Sequence, residues 1–283
     1  MTESETLEQL IANASLRLRT AGIPEPWREA RRIWADLKGL ASSAGYLPSV
    51  DLVGDVELVR YRAAVERRAG GEPLPYVTGF AGFRQLLLHC DRRALIPRPE
   101  TEGLVDLVLA RAPGGRVADL GTGSGCIALA LAAEGEYQSV VGVERSPAAL
   151  ALAAENRRAT GLDVAVVEGD LATPFASEAF DALVANPPYL TDAEYDRLDP
   201  SVKAWEPREA LVGGGDGLGP TRTLLGDGRR VVRAGGLVAL EIDASRAPDA
   251  ARLALEAGWC DVSVHDDLFG RARYLLARRS EAQ

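Results

Sequence analysis

Two short segments carry residue types able to do chemistry. The first is Asn186-Pro187-Pro188-Tyr189, which directly follows the apolar run Asp181-Ala182-Leu183-Val184-Ala185. Two consecutive prolines remove two backbone donors and fix φ, so the turn presents the Asn186 side chain and the Pro187 carbonyl in one pose. A pair of acceptors can hold both hydrogens of an amide or aromatic amine, whose nitrogen lone pair is delocalised as in a peptide bond. That grip aims the lone pair at an incoming electrophile and stabilises the positive charge developing on nitrogen. Tyr189 offers a flat face for such a group to pack on. The second segment is Asp119-Leu120-Gly121-Thr122-Gly123-Ser124-Gly125, between the strand-like RVADL and the helical CIALALAAE. Its glycines let the backbone turn tightly and let a ligand approach, and the helix that follows offers free N–H groups to an anionic group. A dinucleotide fingerprint needs glycine at position 126, where Cys126 stands, so the spacing is G-x-G-x-G preceded by an acid.

These segments need a frame. From residue 100 onward, short β-rich runs alternate with helical stretches: RVADL, SVVGVE, VAVVE, DALVAN, LVALEI, and two later runs around Val262 and Tyr274 to Leu276. The alternation predicts an α/β unit with a parallel sheet covered on both faces. Such sheets bind ligands at the carboxyl edge of the strands. Glu144 ends the second run, 25 positions after Asp119, where a carboxylate can accept both hydroxyls of a ribose. The third run ends in Glu168-Gly169-Asp170-Leu171, a polar edge suited to an adenine amino group. One acid at a strand end often only caps the next helix; the ordered set of three carries the ligand reading.

The first 70 residues predict helices. Thr6 and Gln9 form a capping-box pattern, and Leu7, Leu10, Ile11, Ala14 and Leu18 recur at helical spacing up to Gly22 and Pro24. Trp27, Ala30, Ile33, Trp34 and Leu37 mark a second helix, and Val56, Val59 and Ala63 a third, stopped by Gly70-Gly71. EPLPYVTGFAGF and FRQLLLHC then read as a strand pair. The boundaries that follow are a helical domain over 1–71, a β-hairpin linker over 72–98 and a catalytic domain over 99–283.

Composition narrows the function. With 283 residues, 47% hydrophobic and 26% charged, the chain belongs to the soluble globular class. A net charge of -9 disfavours duplex DNA, whose binding rests on cationic side chains. Cys90, Cys126 and Cys260 are far apart and odd in number, so neither a disulfide framework nor a metal site is predicted, and a reducing compartment fits. The acidic N-terminus and the lack of an apolar run near 18 residues predict a cytoplasmic protein with no membrane span. His89 and His265, the only histidines, lie outside the motifs, which fits a reaction run by alignment and electrostatics rather than by a general base.

The glycine loop resembles that of S-adenosylmethionine-dependent methyltransferases, and the chain as a whole is similar to the peptide chain release factor glutamine methyltransferases, the HemK or PrmC family. The resemblance runs from about residue 72 to the end, through EPLPYVTG, LIPRPETE at 95–102, ADLGTGSGCIALALA, NPPY, EPREALVGGGDGL at 206–218 and GRARYLLARR. NPPY alone also occurs in methyltransferases of DNA amines; the IPRPETE segment distinguishes the family. The resemblance implies a seven-stranded Rossmann-like methyltransferase sheet with a small N-terminal helical domain. It implies S-adenosyl-L-methionine as cofactor, held by Gly121, Thr122, Gly123, Ser124, Gly125, Glu144, Asp170, Leu171 and Asn186. Asn186, Pro187, Pro188 and Tyr189 would bind the glutamine, with Asn186, Pro187 and Tyr189 catalytic, and Arg98, Thr101 and Glu102 would frame the site. Glu206 and Pro207 match a further motif without an evident role. Leu171 stands where many members carry an aromatic residue, and Glu241-Ile242-Asp243 replaces Glu-Ile-Gly. The implied substrate is the Gly-Gly-Gln loop of bacterial class-one release factors, methylated by a monomer that binds neither membrane nor DNA. A ribosomal-protein glutamine, a DNA amine or a catalytically silent binding role are the alternatives.

Overall fold

The computed structural model describes residues 6–39 and 53–281. The chain divides into two compact units, one drawn from residues up to Phe80 together with Pro200–Trp205, the other from Ala81–Asp199 together with residues from Glu206 onward.

In the first unit, α1 (Leu7–Thr20) opens on the expected capping box: the Thr6 hydroxyl accepts from the Gln9 amide and Gln9 Oε1 accepts from the Thr6 amide. Leu7, Leu10, Ile11, Ala14 and Leu18 are all buried. In α2 (Pro26–Leu37), Ala30, Ile33 and Trp34 point inward while Trp27 and Leu37 are exposed. The third helix, α3 (Asp55–Ala69), corrects the expected face: Tyr61, Ala64 and Val65 are buried, and Val56, Val59 and Ala63 face solvent. Tyr61 decides this. Its ring meets Trp34 edge-on at 5.6 Å between centroids, and its hydroxyl donates to the Ala30 carbonyl at 3.0 Å, so the largest side chain takes the interior and satisfies its polar tip there. The stretch read as the first half of a strand pair begins with a helical turn, α4 (Leu74–Thr78), before the hairpin of β1 (Phe80–Phe83) and β2 (Leu86–His89), which from Ala81 onward belongs to the second unit. Arg84, at φ 52° in the hairpin turn, gives its backbone N–H to Glu102 at 2.8 Å and its guanidinium to Glu134 and Asp106.

The second unit is a seven-stranded sheet with helices between strands. In chain order it comprises α5 (Pro99–Arg111), β3 (Gly114–Leu120), α6 (Cys126–Glu134), β4 (Glu136–Glu144), α7 (Pro147–Thr160), β5 (Ala165–Glu168) and β6 (Phe180–Ala185). After α8 (Asp192–Asp196), and α9 (Pro200–Lys203) of the first unit, follow α10 (Gly219–Val231), β7 (Val232–Glu241), α11 (Ala247–Glu256), β8 (Trp259–Asp266) and β9 (Ala272–Arg279). The strand order is β5-β4-β3-β6-β7-β9-β8. All seven runs read from the sequence are strands, but the sheet is mixed rather than parallel throughout: β9 pairs antiparallel with both β7 and β8. The five-residue connection between β8 and β9 explains this, because a parallel pair needs a crossover of a dozen residues or more.

Both faces of the sheet are covered, with side chains alternating between two cores. Ala118, Leu120, Leu183, Ala185, Val238 and Leu240 pack toward α10 and α11, while Val117, Ala182, Val184, Leu237 and Ala239 pack toward α5 and α6. No described helix is long and apolar enough to cross a membrane.

Candidate active site

The glycine loop joins β3 to α6 through three left-handed residues, with φ of 77° at Gly121, 57° at Gly123 and 85° at Gly125, a conformation costly for any side chain. The amides of Gly121 and Thr122 both donate to the Val143 carbonyl at 2.9 Å, folding the loop onto the end of β4. Glu144, the next residue of β4, is thereby brought to the loop: its Oε2 accepts the Gly123 amide at 3.0 Å and its Oε1 the Ser146 amide at 2.9 Å. Each carboxylate oxygen has two lone-pair sites, so each retains capacity for one further donor. Beneath the loop, Asp119 is fully buried. One of its oxygens accepts from the Thr122 hydroxyl and the Ala128 amide, the other has no partner, and burial pushes the carboxyl up to about 7.

A cavity of about 300 Å³ opens over this edge. It is lined by Gly121, Thr122, Gly123, Ser124 and Glu144 from the loop and β4, by Gly169, Asp170 and Leu171 after β5, and by Asn186, Pro187 and Pro188 after β6. Leu171 adopts a left-handed φ of 48°, which strains a residue with a Cβ. Of the residues placed at the site from sequence, Gly125, Tyr189 and Glu102 are not in this wall. Gly125 lies where the loop passes into α6. Tyr189 is half-buried, and burial together with the negative charge of Glu241 pushes its phenol up to about 12, so it is neutral at physiological pH. Neither histidine lines the cavity; His265 is paired with Ser263 at 3.0 Å. Cys126 does line it, with burial raising its thiol to about 12. Among the described residues no group of His, Cys, Asp and Glu is arranged to hold a metal ion.

Several supporting residues act through partners distant in the sequence. Glu206 is buried, pairs with Arg98 at 2.6 Å and accepts the Ile96 amide at 3.3 Å, so it anchors the 95–98 segment that forms one wall. Glu102 is directed to the hairpin turn instead of the cavity. Asn156 of α7, fully buried, bonds both backbone groups of His89 and the Ser124 carbonyl, tying the hairpin to the glycine loop. The glycines of GGGDGL brace the proline turn: Leu190 donates to the Leu211 carbonyl at 2.9 Å, and Gly213 to the Leu190 carbonyl at 2.8 Å. A Cβ on Gly213 would overlap the Pro188 carbonyl oxygen, and one on Gly217 the Tyr189 carbonyl oxygen. Asp243 needs no glycine-like conformation; at φ -74° it caps the following turn, accepting the Ser245 amide at 2.9 Å and pairing with Arg246 at 3.1 Å.

Comparison with known proteins adds to this geometry. The model of a family described as methyltransferase small domain matches residues 100–200, and one described as PrmC N-terminal domain matches residues 9–79. The release factor glutamine methyltransferase of Deinococcus radiodurans is 39% identical over 277 residues, covering 97% of this chain and 99% of the relative. That of Rhodospirillum rubrum is 38% identical over 280 residues, covering 98% and 86%. Among solved structures, a methyltransferase from Pyrococcus furiosus superposes with a TM-score of 0.54 at 18% identity, over 68% of this chain and 88% of that one, a likeness of fold.

Two predictions follow from the buried supports. Asp119 titrates near 7 in the folded protein and near 4 when unfolded, so the folded state holds the extra proton between these values and stability falls as pH rises through that window. Asp119→Asn removes this dependence: thermal unfolding at pH 5 and pH 8 should show the wild type losing more stability between the two than the variant. Gly213→Ala forces the new methyl against the Pro188 carbonyl and should lower methyl-transfer turnover by about tenfold or more, since small displacements of a reacting group are costly. Circular dichroism should show the overall fold retained.

Proposed function

The chain belongs to the release factor glutamine methyltransferase family, and from that premise we propose that it methylates the side-chain amide nitrogen of the glutamine in the Gly-Gly-Gln motif of bacterial class-one release factors, using S-adenosylmethionine. The observation that carries this reading is the state of the Asn186 side chain. Its Nδ2 donates to the Thr101 hydroxyl at 3.1 Å, which leaves Oδ1 as the free acceptor of a residue lining the cavity. Pro187, also in the wall, has a carbonyl whose direction is limited by the ring on either side of it. Together they are the two acceptors that an amide NH₂ group requires.

The cavity fits the cofactor. The Glu144 carboxylate has capacity for two hydroxyl donors after its backbone bonds are counted, the glycine backbone leaves open space beside it, and Asp170 and Leu171 form the adjoining edge. When bound there, S-adenosylmethionine supplies a methyl group activated by a sulfonium. The chain's own contribution is alignment: Asn186 Oδ1 and the Pro187 carbonyl hold both amide hydrogens, so the nitrogen lone pair faces along the cavity and the charge that develops on nitrogen meets fixed negative dipoles. The proton that the alkylated nitrogen sheds passes to water, with no residue required as base. Such a reaction needs a partner that delivers its glutamine in extended form, and a protein partner supplies the remote contacts that a lone side chain lacks. The setting is cytoplasmic, where release factors act.

The direct test is mass spectrometry of release factor from cells with and without this protein, looking for one methyl group on the Gly-Gly-Gln glutamine; its absence in both would overturn the reading. Incubation with labelled S-adenosylmethionine and either release factor or DNA separates the amine-methylating alternative. Asn186→Ala should lower turnover by about two orders of magnitude, as for loss of one preorganised transition-state contact, with a much smaller change in cofactor affinity. Glu144→Ala should weaken S-adenosylmethionine binding by about 1.5–3 kcal/mol in calorimetry, the range of hydrogen bonds to a charged group.

A further inference from the structure

The side chain that orients Asn186 is itself held by a residue far away in the chain. Thr101, in the first turn of α5, donates its hydroxyl hydrogen to Glu241 Oε2 at 2.7 Å and stands 3.1 Å from Asn186 Nδ2. Thr101 and Glu241 are each only 2% exposed, so the bond between them is shielded from water. Sheet register brings the ends together: Ala185 pairs with Leu240, which makes Asn186 and Glu241 the next residues along adjacent strands. On the other side of Glu241, its pairing partner Tyr274 donates to the Glu100 carbonyl at 2.6 Å and pins the start of α5.

A hydroxyl has one hydrogen. Burial raises the Glu241 carboxyl above its ordinary range, opposed by the Thr101 hydroxyl and the positive charge of Arg273; in its ionised form it can only accept, which commits the Thr101 hydrogen to Glu241 and leaves the Thr101 oxygen to accept from Asn186. We propose that Thr101 and Glu241 are positioning residues that set the direction of the Asn186 amide, forcing its NH₂ inward and its Oδ1 toward the substrate nitrogen. Without them the amide can turn over, presenting a donor to a group that itself brings only donors. The inference rests on the reading of Asn186 as the acceptor for the substrate amide.

The test measures kcat, KM for a purified class-one release factor, and S-adenosylmethionine affinity. Thr101→Val keeps the shape and removes the hydroxyl; kcat should fall by about tenfold, the equivalent of one hydrogen bond, with KM and cofactor affinity within about twofold. Thr101→Ser should recover most of the lost turnover. In an Asn186→Ala background, Thr101→Val should cost nothing further, because a residue that acts only through Asn186 has nothing left to act on. Glu241→Gln, whose amide can donate to Thr101 and release its hydrogen toward Asn186, should also lower kcat and also lose its effect in that background. Should the valine variant fail to fold, Thr101→Ala against Thr101→Ser reads the same hydroxyl. Wild-type kcat in Thr101→Val alongside an impaired Asn186→Ala, or an additive loss in the double variant, would overturn the proposal. An Asn186→Ala enzyme with undiminished turnover would instead overturn the reading of the acceptor site.

Discussion

β3 lies between β4 and β6 and pairs in parallel with both, Leu120 opposite Val143 and Asp119 opposite Val184. Parallel pairing sends the carboxyl ends of these strands to one edge, and β5 and β7 extend the same edge through Glu144–Glu168 and Ala185–Leu240. The glycine loop, Glu144, Gly169, Asn186 and Glu241 therefore emerge in one row, although they span some 120 positions of sequence. No single contact in the cavity wall could substitute for that alignment. The loop-to-Val143 bonds and the Asn186–Thr101–Glu241 chain are refinements on strand ends already brought into line.

Acidic side chains are buried around the cavity in several different ways, and each way has a different consequence. Glu206 has a guanidinium partner in Arg98. Glu144 has none among its hydrogen-bond donors, and two backbone amides share its charge instead. Asp119 is satisfied on one oxygen only, and burial makes its carboxyl easier to protonate. Burying an ionised group without full compensation is expensive, so these positions mark where the fold gives up stability to hold polar groups at the sheet edge.

What the sequence showed and what it hid divide along physical lines. The glycine loop and the Asn186-Pro187-Pro188-Tyr189 turn were legible because glycine and proline constrain the backbone locally, whatever surrounds them. The seven strands were legible from their apolar runs, yet the direction of β9 was not, since pairing sense depends on connection length and partner rather than on composition. The inward face of α3 was misjudged because Val56 and Val59 compete with Tyr61 in any count of apolar residues, and only packing against Trp34 decides between them. Thr101 and Glu241 are 140 positions apart, and Glu206 lies 108 beyond Arg98, so nothing local marks either pair.

The grouping of Pro200–Trp205 with the helices up to Phe80 has a bearing on how the protein is made. A chain leaves the ribosome from its N-terminus, and domains ordinarily fold as they emerge. Here the earliest helices appear long before the segment that completes their unit, and β3 to β6 are synthesised in the interval. By the time Pro200–Trp205 is made, the strands β3 to β6, more than half of the sheet, have already been synthesised. The last piece grouped with the first unit is thus delivered late, from the middle of the other unit's sequence.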